Sequence, residues 1–130
     1  MLYFDTCALV KLVRPEAESA ALQTWLSQQR NLPKVTSALA EVELSRAIQR
    51  AAPDSHPRVR PLLAGFFKFD IDDIVRARAA SYADPLLRTL DAIHLATAEE
   101  VRAELVALIT YDERLAAAAK AIGLPVEAPR

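Results

Sequence analysis

The chain opens with Leu2-Tyr3-Phe4-Asp5-Thr6, in which three large apolar side chains lead directly into a carboxylate. Such an apolar run predicts a short strand buried on both faces, as in the interior of a parallel sheet. Residues 8–13 follow as a predicted helix with almost no loop between. Asp5 therefore stands where a strand passes into a helix, which is the edge where open α/β sheets bind ligands. A lone Asp here also suits helix capping, so its role depends on whether other carboxylates join it.

Short apolar segments and helical segments alternate along the rest of the chain. Further strands are predicted at 35–37, 66–71, 105–110 and 124–126. Helices are predicted at 16–30, 38–52, 73–82, 90–104 and 112–123, with a turn and a helix start at 56–65. This alternation favours a single domain over residues 1–130, with a three-layer α/β/α architecture around a parallel sheet of four or five strands.

Length and composition favour an ordinary globular protein. The chain has 130 residues, of which 52% are hydrophobic and 25% charged, and this is about one domain. No apolar run approaches the roughly 20 residues that span a bilayer, and the start has no signal-peptide pattern. We therefore expect a cytoplasmic protein without membrane contact.

Two scarce residue types exclude several kinds of site. The single cysteine, Cys7, excludes an internal disulfide and a cysteine-based zinc site, so a reducing compartment fits. The only glycines, Gly65 and Gly123, cannot supply a phosphate-binding loop or a dinucleotide fingerprint. A nucleotide-cofactor enzyme of those classes is not expected.

Charge is unevenly distributed along the chain. The formal net charge is -1, but residues 44–88 contain eight basic residues against five acidic ones. This middle third could present a basic face to a phosphate backbone, although a solvated surface is the commoner explanation for such a distribution.

Three aspartates are predicted to lie near one another. Asp5 ends the first strand and Asp112 follows the strand at 105–110 by two residues. Because the carboxyl ends of parallel strands meet at one edge of a sheet, both side chains should reach that edge. Asp91 lies in the first turn of the predicted helix 90–104, which is apolar on most sides and hence largely buried.

The helix after the second strand offers two glutamates. Serines stand four residues before and after Glu41, so that side chain belongs to a polar stripe facing water. The corresponding neighbours of Glu43 are Leu39 and Ala47, which place it at the margin of the packed face. Glu43 is therefore the better candidate to join the three aspartates.

Four carboxylates at one partly buried place need compensation. Burial of a single unpaired charge costs several kcal/mol, so either protonation or a cation must relieve the repulsion. Mg²⁺ and Mn²⁺ prefer oxygen ligands and bridge to phosphate groups, and no His or Cys cluster favours zinc. Metal-assisted hydrolysis of nucleic acid is the reaction class that follows.

Four segments, in this order, resemble the motifs of the PIN-domain ribonucleases and, more narrowly, of the VapC toxins of bacterial toxin-antitoxin pairs. They are Asp5-Thr6-Cys7-Ala8, Thr36-Ser37-Ala38-Leu39 leading to Glu43-Leu44, Leu90-Asp91-Ala92-Ile93-His94-Leu95-Ala96-Thr97-Ala98, and Thr110-Tyr111-Asp112-Glu113-Arg114-Leu115. Each motif is weak alone, whereas four in the right order within one short chain are specific. The likeness extends to Gly123-Leu124-Pro125-Val126 at the end of the chain.

The resemblance implies a Mg²⁺-dependent endoribonuclease, with Mn²⁺ as a substitute, that cleaves structured RNA such as tRNA or rRNA. It also implies a homodimer and a small VapB-like antitoxin whose tail blocks the acidic site. By position, direct or water-mediated metal binding would fall to Asp5, Asp91 and Asp112. Glu43 would help to hold the metal and orient the attacking water, and Thr6 and Thr110 would donate hydrogen bonds to the ligands.

Other readings of these residues stay open or are excluded. An aspartyl-nucleophile phosphatase needs an Asp where Cys7 stands, and a signal-receiver domain needs a Lys near Thr110. A non-catalytic PIN-fold module that binds a protein or RNA remains an alternative, since intact acids are necessary but not sufficient for cleavage. His94 could act as a general base, but its place one turn into a buried apolar helix favours a packed, hydrogen-bonded residue. Arg46 and Arg114 could meet a phosphate or pair with the acids.

Overall fold

The first strand lies at the centre of a parallel sheet. The computed structural model describes residues 1–130 and contains five strands in the spatial order β3-β2-β1-β4-β5, all parallel to their neighbours. The strands are β1 (Leu2–Phe4), β2 (Lys34–Ser37), β3 (Phe67–Phe69), β4 (Ala107–Ile109) and β5 (Val126–Glu127). The parallel sheet predicted from the alternating pattern is confirmed, with five strands.

Seven helices cover the two faces of the sheet. They are α1 (Thr6–Val13), α2 (Ser19–Ser27), α3 (Leu39–Ala51), α4 (Val59–Ala64), α5 (Asp73–Ser81), α6 (Thr89–Glu100) and α7 (Glu113–Ala121). A 3₁₀ turn, Pro53–Arg58, precedes α4. None of these helices combines the length and the apolar composition needed to cross a membrane.

The alternation of side chains along β1 divides the core into two parts. Leu2 and Phe4 belong to a cluster formed with α1, α2, α3 and α4, whereas Tyr3 belongs to a second cluster with α6 and α7. All three side chains are fully buried. A strand that is apolar on both faces is what a sheet covered by helices on both sides requires, because successive side chains point to opposite faces.

Acidic residues begin three of the helices. The carboxylates of Asp5, Asp72 and Asp112 accept hydrogen bonds from backbone N–H groups in the first turns of α1, α5 and α7. These caps satisfy donors that a helix leaves unpaired at its start. The chain leaves α7 through Gly123, whose φ of 79° is the left-handed conformation that glycine favours.

Several predicted elements are longer than the observed ones, and α6 shows the physical reason. The prediction that this helix continues to Glu104 is wrong, since it ends at Glu100. Residues 101–104 form a turn, and Glu104 O accepts a hydrogen bond from the amino group of Met1 at 2.6 Å. Val106 N then donates to Met1 O, which aligns the chain beside β1. This pairing with the distant N-terminus overrides the local helical pattern.

The sheet changes direction beside β1. The chain runs from β1 to β2 and β3 on one side and then returns to place β4 on the other side of β1. The carboxyl ends of β1 and β4 therefore flank a topological switch point, where open α/β sheets form their binding crevices. Asp5 follows β1 and Asp112 follows β4, so both aspartates border this crevice.

The packing predicts that two positions near β4 differ in how much they contribute to the free energy of unfolding. Leu108 in β4 is fully buried, whereas Val106 just before it is 49% exposed. Leu108→Ala should lower the free energy of unfolding by about 2–5 kcal/mol, because the cavity lies between sheet and helices. Val106→Ala should change it by less than about 0.5 kcal/mol. Urea denaturation measures both, and equal losses would contradict the assignment of the core.

Candidate functional site

All four candidate acids line one cavity at the carboxyl edge of the sheet. The cavity has a volume of about 510 Å³. Its lining includes Asp5, Glu43, Asp91 and Asp112, together with His94. These residues come from the end of β1 and from α3, α6 and the start of α7. The structure thus brings together side chains that are up to 107 positions apart in the sequence.

Asp5 is a buried carboxylate with hydrogen bonds to both oxygens. Oδ1 accepts from Ala8 N at 2.9 Å, and Oδ2 accepts from the hydroxyl of Thr110. The thiol of Cys7 also donates to this carboxylate, at 3.0 Å from Oδ2. Burial raises the pKa of Asp5 despite these hydrogen bonds and the nearby His94. Asp5 is therefore both a helix cap and a member of the acidic cavity, so the two readings of this residue are compatible.

Glu43 is held in place by two donors on the same oxygen. Its Oε1 accepts from Thr6 Oγ1 at 2.8 Å and from His94 Nε2 at 2.8 Å. Burial acts to raise the pKa of Glu43, but the hydrogen bond and positive charge of His94, together with the hydrogen bond from Thr6, outweigh it and leave the pKa lowered. Glu43 is therefore ionised at neutral pH. Both hydrogen bonds are to Oε1, so Oε2 has no partner among the protein groups.

His94 links Glu43 to the core of the sheet. It is 2% exposed, and its Nδ1 lies 2.8 Å from the hydroxyl of Tyr3 in β1. With Nε2 directed at the Glu43 carboxylate, Nδ1 is the ring nitrogen that meets the Tyr3 hydroxyl. The structure thus places His94 as a packed, hydrogen-bonded residue, and it adds a contact with Glu43 that the sequence interpretation missed.

Asp91 has a buried oxygen without any hydrogen-bond partner. This oxygen, Oδ2, is shielded from solvent in the first turn of α6. Burial raises the pKa of Asp91, and so does the charge of Asp112, with a smaller contribution from Asp5. A buried acceptor left unsatisfied is unfavourable by about 1–3 kcal/mol. A proton on this carboxylate, or a cation bound to it, would relieve that cost.

Asp112 caps α7 from the opposite side of the crevice. Its Oδ1 accepts from Arg114 N at 2.8 Å and from Leu115 N at 3.0 Å. Its own backbone N–H donates to Thr110 Oγ1 at 3.1 Å. Thr110 thereby connects Asp112 to Asp5, because the same hydroxyl donates to Asp5.

The four carboxylates are too widely spaced to coordinate one metal ion together. No group of three His, Cys, Asp or Glu side chains is arranged so that it could hold a metal ion directly. An all-oxygen donor set with an unpaired carboxylate oxygen nevertheless fits a hard divalent cation. Mg²⁺ retains several waters and binds through only one or two carboxylates, so a wider spacing of acids suits it.

Glu41 and many of the basic residues at 44–88 lie outside the acidic cavity. Glu41 is exposed and lines a separate cavity on the other side of α3, together with Arg60 and Lys68. Arg76 pairs with Asp73 of its own helix. The basic residues at 44–88 are therefore divided among several surfaces and do not form one face.

Cys7 has a more specific place than the sequence indicated. Its sulfur donates to Asp5 and accepts a hydrogen bond from Tyr111 N at 3.2 Å. Burial raises the pKa of the Cys7 thiol, and the Asp5 charge raises it further. The thiol is thus held protonated as a hydrogen-bond donor. Its position two residues after Asp5 was the only signal for this contact in the sequence.

Comparisons with known proteins agree with this architecture. The family model described as PIN domain matches residues 2–121. Ribonuclease VapC35 of Mycobacterium tuberculosis is 53% identical over 131 residues, covering 99% of this chain and 97% of that protein. Ribonuclease VapC46 of the same species is 41% identical over 128 residues, covering 98% of this chain and 97% of that protein.

Solved structures share the fold along the whole chain. The crystal structure of Mycobacterium tuberculosis VapC20, a sarcin-ricin loop cleaving toxin, superposes with a TM-score of 0.79 at 13% identity and covers 99% of this chain and 100% of its own. A chain from a toxin-antitoxin complex of Klebsiella pneumoniae has a TM-score of 0.72 at 24% identity, covering 100% and 98%. From the family match and the two close relatives, the chain belongs to the PIN-domain family and, within it, to the VapC ribonucleases.

Proposed function

We propose that this protein is a Mg²⁺-dependent endoribonuclease that hydrolyses phosphodiester bonds in structured RNA. The observation that carries the proposal is the gathering of four carboxylates around one cavity, where Asp91 also has a buried oxygen without a hydrogen-bond partner. Its relatives named ribonuclease VapC support RNA as the substrate. Mn²⁺ would substitute for Mg²⁺, because both take oxygen ligands.

Three aspartates would hold the cation, directly or through coordinated water. Asp91 offers an unpaired oxygen, while Asp5 and Asp112 border the same crevice from the ends of β1 and β4. When bound, the cation would lower the pKa of a coordinated water and stabilise the charge that develops on the phosphodiester. The hydrogen bond from Thr110 to Asp5 fixes the orientation of that carboxylate.

Glu43 would orient the attacking water. Its ionised carboxylate is anchored through Oε1 by Thr6 and His94, which leaves Oε2 to accept a hydrogen bond from water in the cavity. The anchoring chain continues to Tyr3, which is fully buried in the sheet. A rigid carboxylate at this place favours productive geometry, because small displacements of a catalytic group are costly.

The partners follow from the relatives. VapC20 cleaves the sarcin-ricin loop and the Klebsiella pneumoniae chain comes from a toxin-antitoxin complex. We infer that this chain cleaves a structured RNA such as tRNA or rRNA, in the cytoplasm and as a homodimer. We also infer that a VapB-like antitoxin binds it, with a tail that blocks the acidic cavity.

Purified protein should cut RNA in Mg²⁺ or Mn²⁺ and not in EDTA. Asp91→Asn and Asp5→Asn should each lower the cleavage rate by more than about a hundredfold, since even an outer partner of a metal ligand contributes up to that factor. Glu41→Gln is the matched control, because Glu41 is exposed and lines the other cavity. A gel assay with tRNA and rRNA measures all four proteins. Wild-type protein that binds RNA but never cuts it would favour the non-catalytic module.

The metal-free protein should lose stability as Asp91 ionises. Burial and Asp112 raise the pKa of Asp91 in the folded state, so its contribution is fully present below the ordinary Asp pKa and is lost as pH rises through the raised value. In EDTA, Asp91→Asn should therefore melt no lower than wild type at neutral pH, and the difference should shrink toward pH about 4. Added Mg²⁺ should stabilise only the wild type. A neutral-pH melting temperature below wild type in EDTA would assign Asp91 a structural role instead.

Removal of one hydroxyl should test the positioning of Glu43. Tyr3→Phe keeps the buried ring but deprives His94 Nδ1 of its partner. We expect kcat to fall by about tenfold to hundredfold with KM unchanged. Tyr82→Phe is the control, since Tyr82 donates to Glu99 outside the cavity. Equal kcat values in wild type and Tyr3→Phe would remove the network from the mechanism.

A further inference from the structure

Two arginines on one face of α3 stand apart from the other basic residues. Of the sixteen lysines and arginines in the chain, only Arg46 and Arg50 line the acidic cavity. Both side chains are exposed. Neither makes an ion pair within 4.0 Å, although four carboxylates line the same cavity. The two guanidinium groups are therefore free to bind an anion.

These arginines do not serve to neutralise the acids. Glu43 takes its hydrogen bonds from Thr6 and His94, and the Oδ2 of Asp91 has no partner at all. An arginine fork directed at a carboxylate would form a charge-assisted pair, which is among the strongest hydrogen bonds in proteins. The carboxylates therefore remain available to a cation, and the neighbouring arginines remain available to an anion.

Helical geometry orders these groups along a line. Residues 43, 46 and 50 share one face of α3, because neighbours three and four apart lie above one another. With a rise of about 1.5 Å per residue, Arg46 lies about 4.5 Å and Arg50 about 10.5 Å beyond Glu43 along the helix axis. The line thus leads from the acidic end of the cavity outward along α3.

We propose that Arg46 and Arg50 form a phosphate-binding track that holds two successive backbone phosphates of an RNA strand on one side of the cleaved bond. The inference rests on the proposed ribonuclease function and names a part of its substrate site. Guanidinium groups suit this task, because their planar fork matches two phosphate oxygens. A phosphate contact fixes register without reading bases, so the track contributes affinity and orientation and not base specificity.

The track would also offset the electrostatic repulsion between the acidic cavity and the RNA backbone. A cavity lined by four carboxylates repels a polyanion until a cation occupies it, and the overall charge of -1 gives no general attraction. Other basic residues of the middle segment are placed elsewhere, since Arg60 and Lys68 line the cavity on the other side of α3. Arg46 and Arg50 are the two basic residues that line the cavity itself, whereas Arg88 and Arg114 lie beside Asp91 and Asp112 outside its lining.

Salt dependence of RNA binding tests the track. A short, mixed-sequence single-stranded RNA labelled with fluorescein would be titrated in Mg²⁺ at several KCl concentrations, with Asp5→Asn in every protein to prevent cleavage. Arg46→Gln and Arg50→Gln should each reduce the slope of log K against log salt by about 0.7, because each removes one phosphate contact to a single strand. Arg60→Gln, an exposed arginine of the other cavity, should leave the slope unchanged. Arg46→Lys should also keep it, since the charge remains.

The outcomes separate this inference from the function. Unchanged slopes for both glutamine variants, or an equal reduction in Arg60→Gln, would overturn the track even if the wild type cuts RNA in Mg²⁺. Unchanged slopes combined with weaker binding of a labelled acidic peptide would assign the arginines to a protein partner instead. Reduced slopes in a protein whose wild type never cuts RNA would retain the track and overturn the nuclease proposal.

Discussion

The main constraint on this structure is the repulsion among aspartate side chains that lie partly buried at the carboxyl edge of the parallel sheet. Asp5 follows the central strand, where its backbone position is fixed by buried neighbours on both faces, and it cannot move away from the cavity without loss of the α1 cap. Asp91 and Asp112 approach the same place from α6 and α7. The raised pKa values of Asp5 and Asp91 express the resulting unfavourable burial. A cation is the simplest group that makes this arrangement favourable and supplies chemistry at the same time.

Much of the fold and the site follows from local patterns. The apolar run before Asp5 predicts a buried central strand, and the helical phase of Glu43 against Glu41 predicts which glutamate reaches the cavity. Both patterns work because burial in this fold is set by the side-chain periods of strands and helices. The parallel topology then brings the ends of β1 and β4 together, so that Asp5 and Asp112 meet at a switch point.

Other features depend on contacts between distant residues and could not be predicted. The end of α6 at Glu100 is imposed by the hydrogen bonds of the N-terminal residue with the chain around Glu104. The hydrogen bonds from Tyr3 through His94 to Glu43 join β1, α6 and α3, which are far apart in the sequence. Periodicity identified His94 as buried, but a buried imidazole must satisfy two ring nitrogens, and only the three-dimensional structure shows with which partners.

The central claim is that aspartates from three distant parts of the chain form one cation site. Calorimetric titration of Mg²⁺ into the wild type and into Asp5→Asn, Asp91→Asn and Asp112→Asn tests it without any RNA. The account predicts measurable binding by the wild type and weaker binding by all three variants, with Glu41→Gln unchanged. Equal Mg²⁺ binding by the wild type and the three aspartate variants would contradict it.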